Sequence, residues 1–150
     1  MTARFEGEVV VFLIGMRINR PWKVHKWWPV VTAMTRMIRE LYAHPELGFL
    51  HAENWFGRTS IMVQYWKSFE ALEAYAKSRE HQHLPAWAAF NRSVASNGDV
   101  GIWHETYRVR ADDCEVFYNN MPPFGFARAT EAVPVAGGGE TARARMKDAA

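Results

Sequence analysis

Residues 8–19, EVVVFLIGMRIN, limit what this chain can fold into more than any other stretch. Residues 9–14 are apolar without a break, and in an extended strand that places apolar side chains on both faces, because successive side chains point to opposite sides. The stretch is rich in Val and Ile and is closed by Asn19, Arg20 and Pro21, so it reads as a central strand and not as a helix. Both of its faces need cover. Arg17 falls inside this segment, where a buried guanidinium needs a partner or an anionic ligand.

The segments that follow say what supplies the cover. Trp27, Val30, Val31, Met34, Met37, Ile38 and Leu41 recur at three- and four-residue steps, with Lys26, Arg36, Arg39 and Glu40 opposite. This is an amphipathic helix that begins near Val24, tolerates Pro29 close to its start and ends before Pro45. Residues 47–56 and 59–66 are strand-like runs joined by Gly57 and Arg58, which predicts a hairpin with a two-residue connection. Ser68 caps a short helix carrying Phe69, Leu72, Tyr75 and Ala76, and a further turn series opens at Pro85. Residues 100–110 form the next strand and residues 114–119 a trailing one. The order predicts an α+β, ferredoxin-like βαββαβ protomer, its helices packed on one face of an antiparallel four-stranded sheet. Strands apolar on both sides further predict that a second copy covers the helix-free face, giving a homodimer closed into a dimeric α+β barrel.

Residues 1–126 form the expected domain. Residues 127–150 contain no aromatic side chain, include three consecutive glycines and mix Ala with charges, which predicts a disordered tail. Residues 121–126, with Pro-Pro-Phe-Gly, are placed to reach toward the partner subunit.

Charge excludes one class of function. With 18 Lys and Arg against 16 Asp and Glu there is no basic stripe, so nucleic acid is not an expected partner. A single cysteine, Cys114, rules out an internal disulfide or a cysteine-based metal cluster. No run reaches the roughly eighteen apolar residues of a membrane span, and Glu6 and Glu8 interrupt the place of a signal-peptide core. The expected setting is the cytoplasm, without a membrane partner. No GxGxxG, GxxxxGK[ST] or GxSxG motif is present, so no nucleotide cradle or serine elbow is expected. The 7 Trp, 9 Phe and 5 Tyr exceed what a small sealed core holds easily, which points to a ring-lined cavity or interface.

Titratable residues fall in three places. On the strand of residues 100–110, Trp103, Glu105 and Tyr107 share one face, while His104 shares the other with Ile102 and Thr106. Either His104 or Glu105 could serve as a general base, an imidazole by its ordinary proton affinity and a carboxylate if an apolar cavity raised it. The structural alternative is an ion pair with Arg17 or Arg108. His51 and Glu53 lie on one strand face and could form a carboxylate-oriented imidazole, but no third ligand of metal spacing accompanies them. His81 and His83 precede the last helix, two residues apart, which is no helical metal grip; one of them could still be a single axial haem ligand. Trp66, Tyr65, Trp103 and Trp55 are the candidate cavity walls.

The combination of VVVFLIGMRINRPWKV, LGFLHAENWFG, YWKSFEALEAYAKSREHQH and GIWHETY followed by YNNMPPFG resembles the fumagillin-type monooxygenase-like family of the dimeric α+β barrel superfamily, over residues 9–126. The resemblance implies a homodimer with a hydrophobic pocket that oxidises a small aromatic or polyketide-like substrate with dioxygen and no cofactor. It also implies a base, His104 or Glu105, with Arg17 as charge stabiliser and Trp66, Tyr65, Trp103 and Trp55 as substrate-binding walls. Other members of the superfamily hold haem through one histidine, as aldoxime dehydratases do. His83 is where this chain could copy that arrangement. A third reading is a non-catalytic protein that holds a small apolar ligand.

Overall fold

The computed structural model describes residues 1–78, 88, 98–135 and 141–148. Their elements, in order, are β1 (Thr2–Arg4), β2 (Glu8–Ile18), α1 (Val24–Ala43), β3 (Phe49–Trp55), β4 (Ile61–Trp66), α2 (Phe69–Lys77), β5 (Val100–Arg110), α3 (Phe126–Ala129), β6 (Glu131–Val133) and α4 (Ala142–Asp148). The turn series expected after Pro85 lies outside the described residues apart from Ala88. Four strands form one antiparallel sheet in the order β3-β4-β2-β5. With α1 and α2 as connections this is the ferredoxin-like split βαβ arrangement, and β2 is central, as its apolar run requires.

The register settles which parity meets the helices. Val10, Phe12 and Ile14 of β2 pack with Met62 and Trp66 of β4 beneath Met34, Ile38 and Leu41 of α1 and Leu72 and Tyr75 of α2. Met16 and Ile18 continue that face under Trp27, Val30 and Val31. Val10, Leu41 and Trp66 are completely or almost completely buried, at 0%, 1% and 0% exposure. Each such side chain contributes roughly 1.5–3 kcal/mol by leaving water. Helix α1 keeps Pro29 in its second turn, where the missing amide forfeits a single main-chain bond. Helix α2 is capped as its sequence predicts, the Ser68 hydroxyl accepting from the Ala71 amide at 3.2 Å.

The β3–β4 connection is longer than two residues. Residues 56–60 intervene because their second half is drawn onto the edge of β2: Ile18 N donates to Arg58 O at 2.8 Å and Ser60 N to Met16 O at 2.8 Å. The Ser60 hydroxyl completes the junction by accepting from Met16 N at 3.1 Å. Gly15 permits this approach, since a Cβ there would stand 2.0 Å from the Ser60 carbonyl oxygen.

The C-terminal part differs from the sequence expectation. Residues 114–119 do not join the sheet. They run extended beside the N-terminus, with Tyr118 N donating to Met1 O at 2.8 Å and the Thr2 hydroxyl to Val116 O at 2.8 Å. Residues 127–133 are not disordered either: β6 pairs with β1, and Phe126 and Ala127 are buried with Ala3, Val9 and Tyr65. Phe126 stacks against Phe5 and Tyr65, with ring centroids 4.8 and 5.4 Å away. So weakly apolar a segment orders because β2 and β4 already offer it an apolar face, and it need not supply a core of its own. The helix-free side is therefore not bare; the chain's two ends cover the half of it around Val9, Val11, Val63 and Tyr65. No described helix is long and apolar enough to cross a membrane.

Candidate functional site

The helix-facing side of the sheet encloses a cavity of about 50 Å³. Phe12 and Ile14 of β2 and Met62, Gln64 and Trp66 of β4 form its floor. Met34, Met37, Ile38 and Leu41 of α1 and Leu72, Tyr75 and Ala76 of α2 form its roof. Its position follows from side-chain volume: three unbranched methionines meet where branched residues would interdigitate, leaving a deformable gap. Gln64 is 7% exposed in these apolar surroundings. Its Oε1 accepts from the Trp66 indole at 2.9 Å, and its Nε2 is directed to the Met62 thioether at 3.1 Å. Sulfur is a weak acceptor, so the amide nitrogen is the polar group in this chamber with most to gain from a ligand oxygen. The Tyr75 hydroxyl donates to Glu40 Oε2 at 2.9 Å. Burial, and then the Glu40 carboxylate, push its phenol well above the ordinary range, so it stays protonated.

The candidates from the sequence divide between the two faces of the sheet. Trp66 lies inside the cavity. His104 is on the same face, opposite Ile14 in the β2–β5 ladder, its ring 5.7 Å from that of Phe12. It is exposed and does not line the chamber, touching only Phe12 of the lining residues described. Arg17, Tyr65, Trp103, Trp55 and Glu105 belong to the helix-free side. Arg17 is exposed and donates to the Thr59 hydroxyl at 2.7 Å, so it has no need of a buried partner. Trp103 crosses Gly15 to donate to the Ser60 carbonyl at 3.3 Å. Glu105 is exposed and accepts a 2.5 Å hydrogen bond from Tyr107, whose phenol that carboxylate shifts upward. Tyr65 is buried under Phe126, and desolvation pushes its phenol up to about 12. Trp55 is 46% exposed beside Phe124. His83 lies outside the described residues.

A second titratable cluster forms at the β3 edge, where the shared strand face of His51 and Glu53 becomes a real contact: Nε2 stands 3.0 Å from Glu53 Oε1. Glu53 also accepts from the Gly125 amide at 3.2 Å and faces Arg128 at 3.6 Å. Desolvation raises its carboxyl, but the His51 hydrogen bond, the Gly125 amide and the neighbouring positive charge together outweigh it and leave a net lowering. The other ring nitrogen of His51 is 3.0 Å from the Tyr42 hydroxyl at the end of α1. Burial pushes the Cys114 thiol up, away from nucleophilic use. Among the described residues no group of three or more His, Cys, Asp and Glu is placed to hold a metal ion.

Gln64 was not a site candidate in the sequence. Its signal was available, an amide alternating between Met62 and Trp66 on a strand whose other side chains on that face are apolar. Met34, Met37 and Tyr75 carried no such mark, since helical spacing makes them look like ordinary core.

Residues 9–126 match the family model described as Monooxygenase af470-like. The chain belongs to this family. Monooxygenase af470 of Aspergillus fumigatus is 28% identical over 132 residues, which cover 82% of this chain and 46% of that protein. The af470-like chain thus spans less than half the length of that relative. Among solved structures, an aldoxime dehydratase superposes with a TM-score of 0.69 at 20% identity, covering 89% of this chain and 41% of the other. The aldoxime dehydratase OxdRE in complex with butyraldoxime gives 0.63 at 17% identity, covering 75% and 34%. These likenesses confirm the ferredoxin-like α+β fold of the af470-like chain.

Proposed function

We propose that this af470-like chain is a monooxygenase that holds a small apolar substrate with one hydrogen-bond acceptor in the cavity between sheet and helices, and oxidises it with dioxygen. Family membership supports the reaction class. The observation that carries the site is the buried Gln64 amide, whose nitrogen has, among the described residues, a thioether as its partner in a largely apolar chamber. A carbonyl or oxyanion on the substrate replaces that sulfur and is steadied by the amide, a donor fixed in a dry site. His104, beside Phe12 of the lining, takes a proton from an activated carbon. The resulting carbanion supplies electrons to dioxygen; one oxygen atom stays on the carbon as a carbonyl, and the other leaves as water with both of that carbon's hydrogens.

A cavity of about 50 Å³ is smaller than such a substrate, so Met34, Met37 and Met62 must change rotamer to admit it. Haem has no part in this reading. The active form in this reading is a homodimer in the cytoplasm, joined through the part of the helix-free face that the chain's own ends leave open.

Oxygen consumption against a panel of anthrones, phenols and 1,3-diketones tests the proposal. Turnover of at least one is expected without added metal or haem. Gln64→Leu should then lower kcat/KM by about 10–100-fold, the loss of one charge-assisted hydrogen bond. His104→Ala should lower kcat by about 100-fold or more. Full activity in both variants overturns the assignment, and a Soret band after haem titration overturns its cofactor-free form.

A further inference from the structure

Rings lead away from the cavity in an unbroken series. Trp66, which lines it, stands 5.4 Å from Phe49 centroid to centroid, and Phe49 stands 5.0 Å from Tyr42. Tyr42 ends the series at the protein surface, 49% exposed. The two ends of this path differ in what can happen to a proton. The Trp66 indole N–H donates to an amide oxygen, Gln64 Oε1 at 2.9 Å, in a buried site. An amide oxygen is a very poor base, so a tryptophan that loses an electron there keeps its proton and remains a strongly oxidising radical cation. Tyr42 has the opposite arrangement. Its oxygen accepts from the Ala52 amide at 3.1 Å, and its hydroxyl lies 3.0 Å from His51 Nδ1 and 3.5 Å from the Ala52 carbonyl, so the ring nitrogen is the nearer acceptor for the phenolic hydrogen. Nδ1 accepts when the ring carries its hydrogen at Nε2, which faces the Glu53 carboxylate at 3.0 Å. The His51 and Glu53 side chains are 7% and 15% exposed, so water does not compete for these contacts.

We propose that Tyr42 is a redox-active tyrosine, passing its electron to oxidised Trp66 and its proton to His51. The step balances: Trp66 radical cation, Tyr42 phenol and neutral His51 become neutral Trp66, Tyr42 phenoxyl radical and the His51 imidazolium. The positive charge moves from the cavity wall to a ring paired with Glu53. The oxidant that first takes an electron from Trp66 is a one-electron oxidant of the dioxygen chemistry, a substrate-centred radical or a peroxide-derived species. In that respect the purpose of the path, though not its geometry, rests on the function proposed above. Its effect is to drain a stray oxidising equivalent from the cavity to a surface site where an external reductant can quench it.

Laser photoionisation of tryptophan, which reaches buried and exposed indoles alike, tests the path without turnover or substrate. In the wild type the indolyl signal is expected to decay while a tyrosyl signal grows, in a first-order phase independent of protein concentration. Tyr42→Phe keeps the ring and its packing and should abolish that phase. His51→Gln should slow it by about 100-fold and remove its solvent deuterium isotope effect. Trp66→Phe should reduce its amplitude. A tyrosyl phase of unchanged rate and amplitude in Tyr42→Phe, or in His51→Gln if the first variant fails to fold, overturns the proposal. A purely structural Tyr42 strut would leave the kinetics of His51→Gln untouched. Inactivity toward every substrate with an intact radical phase would sink the monooxygenase reading and leave this one standing.

Discussion

Gly15 carries a constraint that only its lack of a side chain satisfies. A Cβ at this position meets Ser60 O at 2.0 Å and the Trp103 indole nitrogen at 2.7 Å, and the first of these is main chain that cannot swing away. Gly15→Ala is expected to destabilise the protein by about 3 kcal/mol, seen as a fall in Tm of roughly 10 °C in a thermal melt. An unchanged Tm would mean that the Ser60 junction is looser than its hydrogen bonds indicate. This position was legible in the sequence only as a gap in an apolar run; the close approach depends on residues 56–60 folding back on β2, which no local pattern announces. Arg17 was misread for a related reason. The apolar run implied burial on both faces, but Arg17 is exposed in the structure, and its guanidinium stays in water. His51 and Glu53 were readable because alternation on a strand fixes their side directly, whereas Tyr42 joins them from another element and had no local signal.

At the scale of elements, the segment holding α3 and β6 is fastened to the sheet by a clasp. Glu53 of β3 accepts from Gly125 and faces Arg128, while His51 backs it. Its carboxyl is lowered in the folded protein, so its contribution to stability is fully present above its ordinary value of 4.5 and is lost as pH falls through the lower folded value. Hydrogen exchange of the amides of residues 125–133 should therefore quicken in that acid window before the sheet opens. Glu53→Gln should remove the pH step and leave exchange in β2 and β4 unchanged; a wild-type profile in the variant would contradict the clasp. The sequence did not disclose this segment, because composition describes what a stretch can bury by itself and not the apolar face waiting for it. The helices, by contrast, were plain: the ridge from Trp27 to Leu41 and the Ser68 cap are set by neighbours three or four residues away.

For the whole molecule, the βαββαβ order of the four-stranded sheet and the central place of β2 followed from one apolar run and two amphipathic helices, since few topologies bury such a strand on both sides. Which side of the sheet holds the cavity did not follow, because the strands are apolar at both parities and only their register decides. The helix-free face that remains open carries Tyr107 at 49% and Trp55 at 46% exposure, and it is where a second copy is expected to bind. Sedimentation velocity should give twice the chain mass, and Tyr107→Arg, on an exposed side chain, should shift the species to the single-chain mass without lowering helix content. A wild type of single-chain mass at micromolar concentration would rule out the dimer. The β1–β6 ladder has a different consequence. Thr2 stands opposite Val133, so residues 2 and 133 lie a strand's width apart. In a chain lacking residues 134–150, a short peptide could join residue 133 to residue 2 and new termini could be cut between residues 56 and 57, giving a circularly permuted chain with every ladder of the sheet intact.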